Sequence, residues 1–257
     1  MDERLRIDRA ACRELSTGPW LYRRPAAHEI VELAMVRGAE VALPTHFHDE
    51  DQITFVLSGR RRFRVDDELI ALCPGQGLFI TAGTPHSSLP EPDGVVCFNA
   101  YLGAGVSALS GLVEDMARHW ARDGRFSLAA LKGLVRAHRQ GVAGGGGPPR
   151  MVLPFDAHGT IREAAEQARM SREGFSRRFR RTRGVTPSQF RSLMKLNQAR
   201  LLLRAGLPLA AAAAEAGFAD QSHLGRCFRR AFGVTPGVYR AGWERSHPFQ
   251  TGSWSGF

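Results

Sequence analysis

The sequence predicts a chain of α and β domains: an N-terminal β-barrel with trailing helices, then an all-α domain holding two helix-turn-helix units. Three observations predict it. Five β-rich runs recur between residues 28 and 102 at roughly ten-residue spacing, separated by Gly, Pro or Asp. Charge is divided, with 17 Lys and Arg against 18 Asp and Glu in residues 1–149, and 18 against 7 in residues 150–257. The C-terminal part also repeats itself, since 179–191 and 228–240 are identical at 8 of 13 positions.

The boundary falls at Gly141–Pro149, a Gly- and Pro-rich stretch that can bury nothing and has no period. The expected organisation is residues 1–140 as one domain (barrel at 28–102, helices at 106–140), a linker at 141–150 and a second domain at 151–245. Hydrophobic residues make up 43% and charged residues 23% of the 257, which excludes wholesale disorder and fibrous classes. No apolar run approaches the ~18 residues that span a bilayer, and Met1–Arg6 lacks the apolar core of a signal peptide. A cytoplasmic protein with no membrane partner is expected. Cys12, Cys73, Cys97 and Cys227 form no Cys-x-x-Cys pair, so they are expected to be small apolar packers rather than zinc ligands or disulfides. No nucleophile elbow, phosphate loop or His-Glu-x-x-His is present, and no enzymatic activity is expected.

The β-rich runs are Ile53–Leu57, Arg62–Val65, Leu69–Leu72, Leu78–Thr81 and Val95–Phe98. Short strands with such turns predict a barrel or sandwich. After them Val106, Leu109, Val113, Met116 and Trp120 form one helical stripe, and Leu128, Leu131, Leu134 and Val135 a second. Two uses fit these stripes equally, packing onto the barrel or pairing with a second copy in a homodimer.

The first repeat opens with Thr160 and Glu163 as a capping box, and Ile161, Ala164, Ala165 and Ala168 make a narrow apolar face. Ser171 caps a second helix that buries Phe175 and Phe179 and presents Arg172, Glu173, Ser176, Arg177 and Arg180 outward. The second repeat copies this plan. An alanine-rich helix at 208–216 has Pro208 in its first turn, Gly217–Ala219 turns, and Asp220 caps a helix through Phe232. Leu224 and Phe228 face the core, while Gln221, Ser222, His223 and Arg226 sit where a reading helix meets base edges and Arg230 where it meets phosphate. A continuous helix from Pro187 to Ala205, about 28 Å at 1.5 Å per residue, separates the units. That spacing suits successive major grooves about 34 Å apart. Of the 18 cations in residues 150–257, 17 are Arg, the side chain shaped for phosphate and guanine. Double-stranded DNA is the expected partner.

On these residues the segment from about 153 to 242 resembles the DNA-binding domain of the AraC/XylS family of bacterial transcription regulators. The most specific stretches are Ala216-Gly217-Phe218, Asp220-Gln221-Ser222-His223-Leu224, the run from Phe228 to Pro236, and Tyr239-Arg240. Residues 38–86 resemble the cupin-type sensor barrel that often precedes that domain, through Gly38, His46-Phe47-His48, Gln52, Gly59, Gly75 and Gly83-Thr84-Pro85-His86. The resemblance implies a promoter-binding regulator, an activator with RNA polymerase as a further partner, controlled by a small-molecule effector.

His46 and His48, two apart, would share one face of a strand, and His86 from a later strand would complete an imidazole cluster. Two occupants fit. Polar groups in an apolar pocket suit a small organic effector held by His46, His48, Gln52 and His86. Three imidazoles also suit zinc, iron, nickel or copper, although Gln52 stands where the resemblance would place a carboxylate. No other cofactor is expected. His28, His119, His138, His158 and His247 are expected to stand alone.

Overall fold

The structure is a computed structural model that describes residues 18–25, 30–103, 110–140, 160–244 and 254–255. The linker expected at 141–150 lies outside the described residues, as do Cys12, His28, Val106, Leu109, His158 and His247.

Among the described residues nine strands open the fold: β1 (Trp20–Arg23), β2 (Ile30–Gly38), β3 (Leu43–His46), β4 (Asp51–Gly59), β5 (Arg61–Val65), β6 (Glu68–Leu72), β7 (Gly77–Ile80), β8 (His86–Ser88) and β9 (Val95–Leu102). They pair antiparallel in two sheets, ordered β1-β2-β9-β4-β7 and β3-β8-β5-β6. β1 precedes the residues expected to begin the barrel. Side-chain alternation assigns the two faces of the larger sheet. Gln52, Thr54 and Val56 of β4, with Cys97, Asn99 and Tyr101 of β9, line the interior. Ile53, Phe55 and Leu57, with Val96, Phe98, Ala100 and Leu102, turn to the other side.

That outer side is covered by α1 (Ser110–Asp123) and α2 (Leu128–Gln140), with β10 (Arg125–Phe126) between them. Leu112, Met116, Leu131 and Val135 are wholly buried against it. The helical stripes therefore pack onto the barrel, because a sheet with a second apolar face needs a second cover.

The helical part comprises α3 (Ile161–Gln167), α4 (Arg172–Arg183), α5 (Pro187–Arg204), α6 (Leu209–Glu215), α7 (Gln221–Phe232) and α8 (Pro236–Glu244), and β11 (Trp254–Ser255) returns to pair with β10. The expected caps are present: Thr160 and Glu163 close a capping box, Ser171 accepts from Gly174 N–H and Asp220 from His223 N–H. Pro208 sits at the cap position of α6 rather than inside its first turn. α4 and α7 both end on a left-handed glycine, Gly184 (φ +69°) and Gly233 (φ +76°).

The two parts share one core. Trp20, Tyr22 and Phe47 of the barrel pack among Phe190, Phe232 and Tyr239 of the helices, with Phe47 stacked on Phe190 at 4.7 Å between ring centroids. Among the described residues no helix is long and apolar enough to cross a membrane.

Candidate functional site

The first site is the outer face of the two repeats. Ser171, Arg172, Glu173, Arg177 and Arg180 on or capping α4, and Gln221, Ser222, Arg226 and Arg230 on α7, are exposed. On α7 the buried Leu224, Phe228 and Phe232 recur every four residues. Arg226 and Arg230 each lie two residues from Phe228, about 200° round the helix, which puts them opposite the buried face. Not every expected reading residue is free to read. The Ser171 hydroxyl serves as the cap, the Ser176 hydroxyl donates to Arg172 O at 2.8 Å, and His223 packs edge-on against Phe218 at 5.4 Å.

The second site is the interior of the barrel. Register sets His46 of β3 opposite His86 of β8, and Gln52 of β4 opposite Tyr101 of β9. His48 is not on the same strand as His46, since β3 ends at His46. It joins the cluster from the connection to β4, held there by its Nδ1 at 2.7 Å from Glu50 O. Ring centroids stand 4.4 Å apart for His46–His86, 5.1 Å for His48–His86 and 6.2 Å for His46–His48. All three rings are buried.

Burial, and then the neighbouring imidazoles, hold the His46 pKa well below the ordinary value. Burial, then His86, lowers His48 to about 3, and burial lowers His86 to about 4. All three rings are thus neutral at pH 7. Each Nδ1 sits against a backbone carbonyl, Pro44 at 2.9 Å, Glu50 at 2.7 Å and Thr84 at 2.9 Å. A carbonyl only accepts, so Nδ1 carries the proton and Nε2 is left as an acceptor. His48 Nε2 lies 2.7 Å from Gln52 Oε1, while Gln52 Nε2 donates to the Thr54 hydroxyl at 2.8 Å and that hydroxyl to Asn99 Oδ1 at 2.8 Å. A neutral His48 needs a donor at that contact, which the Gln52 N–H supplies when the Gln52 and Asn99 amides both turn over, Thr54 then donating to Gln52 Oε1 and accepting from Asn99 Nδ2. His86 Nε2 is buried with no hydrogen-bond partner.

Among the described residues no three His, Cys, Asp or Glu are arranged to hold a metal ion. The donor set explains it. His48 is tied at both ring nitrogens, to Glu50 O and to Gln52, which leaves His46 and His86 alone to offer Nε2, so the cluster as it stands does not fit a metal.

Between these sites lies a buried polar clasp that joins barrel to helices. Arg200 of α5 pairs with Glu32 of β2 and, at 3.4 Å, with Glu50. Arg204 pairs with Glu50, and the Tyr239 hydroxyl donates to Glu32. Arg200 is 1% and Glu32 0% exposed. Burial opposes the Glu50 charge, but Arg200 and Arg204 outweigh it and hold its pKa down at about 2. Burial likewise opposes the Arg200 charge, and Glu32 and Glu50 outweigh it, so its pKa is raised. The clasp abuts the histidines. The Arg200 guanidinium lies 4.5 Å from the Tyr101 ring, whose other neighbour is His48 at 5.0 Å. His46 meets Phe232, the last residue of α7, at 6.4 Å.

Sequence reading missed the clasp, although a signal was there. Leu193, Leu196, Arg200 and Leu203 recur at three- and four-residue steps, so Arg200 occupies an apolar position of α5. Two further expectations change. His138 does not stand alone but meets Asp115 at 2.7 Å, as His119 meets Asp123 at 3.3 Å. Cys97 is buried and Cys227 partly so, as packers should be, but Cys73 is exposed.

Comparison with known proteins bears on the two domains that carry these residues. Residues 164–242 match the family model described as a helix-turn-helix domain and residues 33–89 the one described as a cupin domain. YbfI of Bacillus subtilis (strain 168), an uncharacterised HTH-type transcriptional regulator, is 26% identical over 240 residues, covering 77% of this chain and 86% of its own. YdeC of the same organism, described in the same terms, is 32% identical over 85 residues, 33% of this chain and 28% of its own. A crystal structure of ToxT from Vibrio cholerae strain SCE256 with an unsaturated fatty acid bound has the same fold at a TM-score of 0.50. It is 11% identical and matches over 90% of this chain and 98% of that one.

Proposed function

We propose that this chain, a cupin domain followed by an AraC-type helix-turn-helix domain, is a promoter-binding transcription regulator governed by a small organic effector in the barrel. One observation carries the reading. α7 presents Arg226 and Arg230 outward on one face and touches the histidine cluster through Phe232 with the other. A single helix thus borders both sites.

In this reading Arg172, Glu173, Arg177 and Arg180 read one major groove and Gln221, Ser222 and Arg226 the next, while His46, His48, Gln52 and His86 contact the effector. The domain limits are 1–140 and 151–245 with the linker between them. Activation, with RNA polymerase as a partner, accompanies the resemblance to the AraC/XylS family. A cytoplasmic location accords with DNA as the partner, and a homodimer would use surface other than the stripes of α1 and α2 that pack onto the barrel. A regulator without catalysis is the reading that accompanies the helix-turn-helix domain and the HTH-type transcriptional regulators among its relatives.

The test is a reporter driven by the DNA upstream of the chain's own gene. His48→Ala should abolish the regulatory response while the purified full chain still shifts that DNA. Unchanged regulation in the His46→Ala/His48→Ala/His86→Ala variant would put the sensing site elsewhere.

A further inference from the structure

We infer that the ligand of the histidine cluster is uncharged and presents O–H or N–H groups to it, as an alcohol or an amide does, and is not a carboxylate. The inference rests on the reading of the barrel as a sensor and names the chemistry of its ligand. Three features of the site carry it.

The first is the direction of the hydrogen bonds. His46 and His86 each turn Nδ1 back to the carbonyl two residues earlier, Pro44 and Thr84. Each ring therefore offers the opposite edge, Nε2, as a lone pair. His48 is tied at both nitrogens, to Glu50 O and Gln52. The second is the orphan. His86 Nε2 is buried without a partner in a residue only 1% exposed. A buried acceptor left unpaired keeps an uncompensated desolvation penalty, and a donor placed against it removes that penalty.

The third is charge. A carboxylate needs donors or a cation, and the cluster supplies neither. Three imidazoliums at 4.4–6.2 Å would repel one another. Arg200, the cation that reaches this region, has both terminal nitrogens on Glu32 and Glu50 and its charge balanced by them, leaving Nε alone without a partner. A ligand cation would in turn be buried beside Arg200 with both of those carboxylates engaged. An uncharged donor avoids both costs.

The test uses full-length protein labelled with 15N at histidine, assigned through His46→Gln and His86→Gln, at pH 7. Long-range 1H–15N spectra should show all three rings as the Nδ1–H tautomer. Saturating xylitol or propionamide should move the His86 Nε2 resonance, and succinate or oleate should not. The donor-induced shift should vanish from the cluster in His86→Phe. Any ring found as the Nε2–H tautomer or as imidazolium overturns the inference, as does a shift with either carboxylate or none with either donor. Failure of the sensor reading is separate: regulation would then survive loss of all three histidines while the tautomers stood unchanged.

Discussion

Glu32 and Arg200 stand 168 residues apart in the chain and meet as a buried ion pair between the barrel and α5. Neither would be buried alone, because a charge without its partner in such a site is too costly. The pair therefore makes the docking of the two parts specific, and Glu50, Arg204 and Tyr239 extend it into a network with balanced charge.

Breaking that pair from one side should be worse than removing it. Arg200→Met strands Glu32 and should cost on the order of 3–5 kcal/mol, a fall of roughly 10 °C in Tm. The double variant Glu32→Leu/Arg200→Met strands neither charge and should recover a large part of the loss. Thermal unfolding of both variants decides it, and a double variant less stable than Arg200→Met contradicts the clasp.

Stability should decline below neutral pH in two stages. The folded-state pKa of His48 is about 3 and of His86 about 4, both under the unfolded 6.5. Between those values the unfolded chain binds more protons, so stability is complete above pH 6.5 and falls as the pH drops towards 4. At 1.36 kcal/mol per pKa unit, His86 alone accounts for roughly 3 kcal/mol. Glu50, at about 2 against 4.5, adds a further loss as pH falls below 4.5. Urea titrations at pH 7.5, 6 and 5 should show the first stage, with a shallower decline in His86→Gln. A flat profile from 7.5 to 5 would count against neutral buried rings.

Reading and anchoring should separate on α7. Arg226→Ala, in the first half of the helix, should cost about 1–3 kcal/mol on the cognate site and relax base preference there. Arg230→Ala, near its end, should weaken all sequences alike and reduce the salt slope by about one. Binding isotherms on cognate and scrambled DNA at several salt concentrations distinguish the two. Equal loss of specificity in both would refute the division.

Two glycines at matching positions of the repeat offer a control for docking. An added Cβ at Gly184 meets nothing within 4 Å, whereas one at Gly233 would stand 2.4 Å from Trp20 Cδ1. Gly184→Ala should cost only the left-handed backbone, about 1–2 kcal/mol. Gly233→Ala should cost clearly more, and the excess should shrink when Trp20→Ala opens the space. Equal costs in the wild-type background would mean that Trp20 does not pack there.

Much of the fold is legible because its signals are local. Thr160, Ser171 and Asp220 cap their helices through backbone N–H groups three residues away, so the sequence alone places those helix starts. The exposed cations of α4 and α7 follow from the same periodicity that buries Phe175, Phe179, Leu224 and Phe228. The His46–His86 pairing was legible only through the family resemblance, and the strand assumed for His48 was wrong because β3 stops two residues short of it.

By itself, then, the sequence determined the repeat, its caps, the basic outer faces of α4 and α7 and the β character of residues 30–102. Each depends on neighbours within a turn of helix or a pair of strand residues. Tertiary structure alone decided that α1 and α2 spend their apolar stripes on the barrel and that Trp20–Arg23 adds a strand. It also decided that Arg200 is buried against Glu32 beside the histidines. Those outcomes depend on which distant surface reaches a given side chain. A charge at an apolar position of a helix reads as a defect in periodicity until the opposite charge, far away in the chain, is brought against it.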